Sequence, residues 1–434
     1  MIFLTITGTF SAAVIYDKRE KKRNQRKWCK MVEHIAREPL DPKAMPRKLT
    51  VFLEGPPTDG LRTAQDHFKE YVKPILVASG LDWEFIQGRK EGDIRAELAE
   101  KIRTQRTPLD QRLAEEDAVL RTRRHQGITE YDGPKGDIVL GRHTWKEYVR
   151  GLHEGWLGPL IEPPKPVQDI PTPATGGPVV PEASQLPEAG STNEDNSGTT
   201  IHTSEPEAPI EEAKSPTPEE EKSKMPTQPP PFISTSAYQS AALPSGLPSE
   251  FDPSAPIIFP HILGFFNTPR RLYRFLNRRA VADQIGRETA AIILATYRPY
   301  RETSDVDPSS FESDEQSDSP QNDDNKAVPQ VAEQQTALIE EEKEWHKSAR
   351  VRVDGESERT WLEPVVLDPR IASRMRRSKL TPADEIKAKG IVVPEEEIEG
   401  WIKGGLRSLG KQGKEILGFG KKRAKRSNED EVLE

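Results

Sequence analysis

At 434 residues the chain has room for two or three domains. Yet 34 % hydrophobic residues against 31 % charged, with 39 prolines, is too little apolar material to bury all of it, so a large share is expected to be disordered. The single cysteine, Cys29, excludes an internal disulfide scaffold and a zinc ribbon. A net charge of −8 hides segregation. Residues 1–50 hold twelve Lys/Arg against five Asp/Glu, residues 403–426 hold nine against one, and residues 301–344 hold fourteen acids against three bases. Basic ends around an acidic middle suit a chain that meets an anionic surface at its termini.

Residues 1–16 carry no charge, and Lys18, Arg19, Lys21, Lys22, Arg23, Arg26 and Lys27 follow at once. An uncharged apolar helix ending in a basic collar predicts a single amino-terminal transmembrane anchor built on Ile2, Phe3, Leu4, Ile6, Phe10, Val14, Ile15 and Tyr16. At about 1.5 Å per residue the run reaches roughly 24 Å, short of the ~30 Å hydrocarbon core. Because the chain starts inside the apolar run, a few residues are expected to precede Met1. A secretory signal would place its positive charge before the run and a small-residue cleavage site after it, and neither is present. Residues 17–47 read as collar and linker, with a short amphipathic helix before Pro39, Pro42 and Pro46.

A compact α/β pattern fills 48–160. Strands are expected at Lys48–Leu53, Trp83–Gln87 and Asp137–Leu140. Helices are expected over about Arg62–Ser79, kinked by Pro74, from Asp93 as its cap, near Leu109–Arg124, and over His143–His153. Glu97 and Lys101 stand four apart and should pair. Strands alternating with helices predict a mainly parallel sheet. Residues 161–230, rich in Pro, Ser, Thr and Glu, read as a disordered insertion.

The folded domain continues through 231–300. Pro256–Phe266 is its most apolar run, too short to span a bilayer and so expected to be buried. Thr268 and Pro269 start a helix that interleaves Arg270, Arg271, Arg274, Arg278 and Arg279 with aromatic residues, a candidate partner or lipid surface. A further helix from Val281 to about Tyr297 should turn Ile285, Ile292 and Ile293 inward. Residues 301–335 read as an acidic disordered linker, 336–384 as a hairpin (351–353 with 359–367) and helical segment, and 385–434 as a basic amphipathic or flexible tail.

Chemistry-bearing motifs are missing. There is no G-x-G-x-x-G, Walker loop, G-x-S-x-G or H-E-x-x-H, and the eight histidines are dispersed. The residues therefore predict no metal and no cofactor. No RNP, KH or OB signature accompanies the arginine helix, which weighs against nucleic acid. The strand–turn–helix–SGLDWEFIQ–GRKEGDIRAELAEKI pattern resembles the amino-terminal half of diacylglycerol-kinase-type lipid kinases. In that family a Gly-rich turn wraps nucleotide phosphate. Here Pro56 and Pro57 remove two N–H donors from the turn Glu54–Gly60, and the later G-D-G motif is missing. The expected architecture is thus lipid-kinase-like without the catalytic equipment.

A wider resemblance covers most of the chain outside the two linkers. TGTFSAAVIYDKREKKRNQRKW, RKLTVFLEGPPTDGLRTAQDHFKEYVKPILVASGLDWE, FISTSAYQSAALPSG, the stretch FDPSAPIIFPHILGFFNTPRRLYRFLNRRAVADQIGRETAAIILATYRPY and WHKSARVRVDGESERTWLEPVVLDPRIASRMRRSKLTP carry it. The chain resembles the large, fifty-four-kilodalton membrane-anchored Tim family of the fungal mitochondrial inner-membrane carrier translocase. The resemblance implies a non-enzymatic scaffold, single-pass in the inner membrane with its bulk in the intermembrane space. Its implied partners are the pore and other membrane subunits, the small Tim chaperones that deliver multi-spanning carriers, and inner-membrane lipid, with no nucleic acid. Two other readings stay open on the residues alone, a lipid or nucleotide kinase-like enzyme and a tether for anionic lipid. The basic collar by itself would keep the bulk on the matrix side.

Overall fold

The computed structural model describes residues 2–108, 111, 118–129, 131–163, 228–303, 331–345, 347, 350, 352–353 and 358–398. Residues 399–434 of the expected tail and most of both linkers lie outside the described residues.

Strand β1 (Lys48–Glu54) alternates Leu49, Val51 and Leu53 on one face with Thr50, Phe52 and Glu54 on the other. Both faces are buried, so the strand is central and needs a helical layer on each side. It pairs in parallel with β2 (Asp82–Gly88) on one edge and β3 (Asp137–Leu140) on the other. Beyond β3 come β4 (Ser254–Ile257), then β8 (Arg376–Ser378), both parallel, and β5 (Tyr297–Pro299), which runs antiparallel at the edge. The sheet order is β2-β1-β3-β4-β8-β5. Short β6 (Glu302–Thr303) and β7 (Val331–Ala332) form a separate ribbon.

The three strands expected in 48–160 are present, and the parallel sheet holds. The fourth and fifth parallel-sheet members, β4 and β8, come from beyond the long insertion. Only Pro256 and Ile257 of β4 fall in the expected apolar run Pro256–Phe266, and Arg376–Ser378 carries two arginines that mask it as a strand. Residues 359–367 form no strand, so the expected hairpin does not appear among the described residues.

One face of the sheet is covered by α1 (Ile2–Val32), by α2 (Leu61–His67) and α3 (Lys73–Ser79), and by the helix Arg278–Ile293. The expected single helix over 62–79 is continuous but widens to a π turn at Phe68–Val72, just ahead of Pro74, whose ring cannot accept the regular ladder. The other face carries α4 (Asp93–Arg106) and α6 (Arg142–Leu157), with α5 (Ala118–His125) between them in sequence. Gly151 and Gly155 let α4 approach α6 closely: a methyl on Gly151 would meet the Arg95 carbonyl at 3.0 Å, and one on Gly155 would crowd Ile102. At this crossing Arg95 and Glu154, both buried, pair at 2.5 Å. The returning chain is stitched across the same helices, as Phe232 N donates to Glu154 (3.0 Å) and Arg150 donates to Tyr238 Oη and the Ile233 carbonyl.

The amino-terminal helix corrects the reading of the collar. No helix among the described residues is long and apolar enough to cross a membrane. The helix runs unbroken past the uncharged stretch, and its second half docks on the domain, burying Trp28, Met31 and Val32. The cations there do not form a free collar. Lys27 and Lys30 pair with Asp283 and Glu397, Lys21 with Glu70, and Arg19 and Arg23 both with Glu395. The first half differs, because Phe3, Leu4, Ile6, Phe10, Ile15 and Tyr16 are all exposed. Val14 is half-buried.

Candidate functional site

In an open parallel sheet, ligands bind outside the carboxyl ends of the strands where the strand order reverses. Here that place lies between β1 and β3, beyond Glu54 and Leu140. The turn Glu54–Gly60 forms one lip and Gly141, at φ +83°, forms the other as it leads into α6. A phosphate would be held by the free N–H groups at the start of that helix.

The chain fills this position itself. The helix α10 (Ile339–Glu344), preceded by the short α9 (Glu333–Thr336), lies over the crevice. Glu341 sets its carboxylate at the helix start, accepting from Arg142 N at 3.1 Å and from Phe259 N at 2.5 Å. Arg142 is buried and pairs through Nε with Glu342 at 2.6 Å. Burial pushes Glu341 up to about 7, against the pull of these two N–H donors and Arg142. His143 is walled by Trp345 and Trp361, with ring centroids at 5.0 and 4.8 Å. What remains open is about 20 Å³, lined by Glu54, Pro56, Gly141, His143, Phe259 and Glu341 among others. That is room on the order of one water, not for a nucleotide.

Behind the plug sits a buried carboxylate pair. Glu147 caps α4, accepting from Gly92 N at 2.6 Å and Arg95 N at 3.2 Å, and takes a third bond from Trp361 Nε1 at 2.7 Å. The expected cap, Asp93, instead turns back and accepts from Arg89 N and Lys90 N. Glu54 lies against Glu147 with both carboxylate oxygens buried. Burial first, then the Glu147 charge, push it well above the ordinary carboxylate range. Burial pushes Glu147 up as well, against the pull of its bonds to Glu54, Gly92 N, Arg95 N and Trp361. Nearby, Glu91 fastens the segment after 358 by accepting from Trp361 N and Arg359 Nε, each at 3.0 Å. None of these carboxylates was singled out by sequence, since each looks like an ordinary surface acid until the loops around it close.

At the opposite end of the sheet a cleft of about 820 Å³ opens between α4 and α5. Its floor holds Phe52, Ile102 and Trp156, and its rim Lys48, Lys101 and Lys135. Lys101 leaves its expected partner Glu97 and pairs with Glu84 at 2.5 Å, as Lys48 does at 2.8 Å. The two lysines outweigh the burial of Glu84 and hold it down at about 2. Asp137 accepts from Tyr148 Oη at 2.8 Å, and burial followed by the Asp252 charge push it up to about 7.

The five arginines are not equivalent. The helix α7 (Thr268–Phe275) carries Arg270, Arg271 and Arg274, and Arg278 and Arg279 begin α8 (Arg278–Ile293). Arg274 pairs with Glu344, Arg278 with Glu70 at 3.6 Å, and Arg279 with Asp17 at 3.5 Å. Among the described residues Arg271 reaches its own turn, the Gly264 carbonyl and Thr268 Oγ1, both at 3.2 Å. Arg270 is exposed and has no ion pair among the described residues. The apolar run 256–266 is split as well: Ile257 is buried, but Phe265 and Phe266 are 83 % and 94 % exposed, against the expectation of burial. The dispersed histidines are structural where buried. His153 bridges the Val149 carbonyl (2.8 Å) and Asp368 N (2.9 Å), and burial lowers it to about 4. No cluster of three metal-ligating side chains occurs among the described residues.

Comparison with known proteins now decides the family. The family model described as inner membrane protein import complex subunit Tim54 matches residues 1–378. The chain belongs to the Tim54 family. Among Tim54 proteins, one from Aspergillus fumigatus, named mitochondrial import inner membrane translocase subunit tim54, is 46 % identical over 415 residues, covering 92 % of this chain and 91 % of that one. Its namesake from Neurospora crassa is 45 % identical over 423 residues, covering 94 % and 82 %. A Tim54 from Debaryomyces hansenii, at 27 % identity over 481 residues, still covers 92 % of this chain and 90 % of its own. The match spans most of the chain rather than one domain.

Proposed function

We propose that the chain is a non-enzymatic scaffold subunit of the mitochondrial inner-membrane import translocase. In this reading the uncharged half of α1 is embedded in the inner membrane as a single-pass anchor, and the α/β domain stands in the intermembrane space. There it meets the pore and other membrane subunits and docks the small chaperones that deliver multi-spanning carriers. The observation that carries the reading is the division of α1. Its second half is ion-paired to the domain, while its first half projects six large exposed apolar side chains that have no place in water. Family membership supplies the membrane and the translocase. The filled crevice supports the absence of catalysis, because Glu341 occupies the position where a substrate phosphate would lie.

Affinity isolation from detergent-solubilised mitochondria tests the assembly, with the pore subunit and small chaperones expected in the eluate. Recovery of neither overturns it. Protease treatment of mitoplasts tests the side: the domain should be digested, and full protection would place it in the matrix.

A further inference from the structure

We propose that Phe265, Phe266 and α7 form a second contact with the bilayer, lying on an anionic lipid surface beside the point where α1 enters the membrane. The proposal rests on reading the first half of α1 as embedded.

The position follows from α1. Arg279 N donates to the Asp17 carboxylate (3.1 Å), the Arg279 carbonyl accepts from Asn24 (2.9 Å), and the Arg279 guanidinium lies 5.3 Å from the Tyr16 ring centroid. Tyr16 is the last residue of the uncharged run and Asp17 is buried, so this contact marks the water boundary on α1, where tyrosine is favoured. Only Leu276 and Asn277 separate Arg279 and its neighbour Arg278 from the end of α7. The helix is thereby held at headgroup level.

The surface it presents fits that level. Gly264, at φ +97°, turns the chain outward, and the exposed Phe265 and Phe266 rings stand edge to face with centroids 6.0 Å apart. Along α7, Leu272 and Tyr273 are exposed, and no residue of the helix is buried. Between Phe265 and Ala280 there is no acidic residue. Arg274, Arg278 and Arg279 tie the segment to the domain, which leaves Arg270 and Arg271 without a carboxylate among the described residues. Exposed aromatic residues flanked by arginines with no carboxylate partner among the described residues, on a helix with no acids, are what an anionic interface takes up. A protein partner is the competing occupant. Lipid is favoured because the patch is continuous with the embedded helix and carries charge of one sign.

The full chain with Cys29→Ser is reconstituted into vesicles, with a nitrobenzoxadiazole label on Phe266→Cys or, separately, on Leu4→Cys. Vesicles of phosphatidylcholine alone are compared with vesicles holding about one quarter anionic lipid, and lipid-borne quenchers report depth. The label at position 266 should blue-shift and be quenched only with anionic lipid. It should return to water in high salt or when Arg270→Gln and Arg271→Gln are added. The label at position 4 should be quenched in both lipids and in high salt. Quenching at position 4 with position 266 in water overturns the second contact alone. Both labels in water overturn the embedding of α1 together with it. Position 266 shielded in complexes isolated from mitochondria, yet in water on anionic vesicles, gives the face to a protein and also overturns the proposal.

Discussion

Asp137 shows how a single side chain acquires its properties only after folding. In sequence it opens a short apolar strand, as many aspartates do. In the structure it sits at the floor of the cleft with Tyr148 donating to it, and surrounding protein raises it to about 7. Its ordinary value is 3.8, so between about pH 4 and 7 the folded chain keeps a proton that the unfolded chain releases. The stability this group contributes is complete below about pH 4 and is lost as pH rises through 7. Asp137→Asn cannot ionise and still accepts from Tyr148. Relative to the wild type it should gain stability steadily from pH 4.5 to pH 8, by about 1–3 kcal/mol once solvent in the cleft is allowed for. Thermal unfolding of both proteins at those two pH values checks it, and parallel curves would refute it. The lowered histidines, His67 and His153, pull the wild-type profile the other way, which is why the comparison is with the variant.

Among the elements, α1 is the one whose two halves do different work, and the join depends on one glycine. Gly286 on α8 faces the Trp28 indole, and a methyl there would overlap the ring. Trp28 also donates to Asp283 at 2.9 Å, and Lys27 to the same carboxylate at 2.5 Å, so the contact holds both packing and charge. Gly286→Ala should overpack this seam and cost about 1–3 kcal/mol, although alanine is the better helix former. The readout is local. Trypsin should cut within Lys18–Lys30 of the variant at a low dose that leaves the wild type intact, and equal resistance in both would show that the seam tolerates the methyl. The same element explains why a basic collar is compatible with a docked helix: Glu70, Asp283 and Glu395 reach Arg19, Lys21, Arg23 and Lys27 from three distant parts of the chain, and Glu397 reaches Lys30.

At the scale of the molecule, the folded unit is assembled from segments on both sides of the insertion. β3 would be an unpaired edge without β4, and the core under β1 takes Trp28 from before it and Ile285 and Ile292 from beyond residue 228. Residues 48–160 expressed alone should therefore expose Ile138 and Leu140 and fail to unfold cooperatively, despite containing the pattern that announces the domain. Residues 1–162 and 228–398 produced together should copurify as a one-to-one complex with a sharp thermal transition. A cooperative transition from 48–160 by itself would refute this account.

The sequence alone determined the elements whose physical signal is local. β-Branched and aromatic content specified β1, the 3.6 period specified α4 and α8 with Ile285, Ile292 and Ile293 inward, and the extended resemblance specified the family. Composition also separated an uncharged stretch from a basic one at Tyr16. What those stretches do was decided by the tertiary structure. The basic run is docked because carboxylates hundreds of residues away pair with it. Phe265 and Phe266 are exposed because Gly264 turns them out of a run that composition would bury. The crevice is closed because Glu341, in a stretch that reads as a hairpin and helical segment, reaches the first N–H of α6. Each of these depends on which distant segment arrives beside a residue. A local pattern carries no such information, because charge pairing, burial and strand partnership are properties of neighbours in space rather than in sequence.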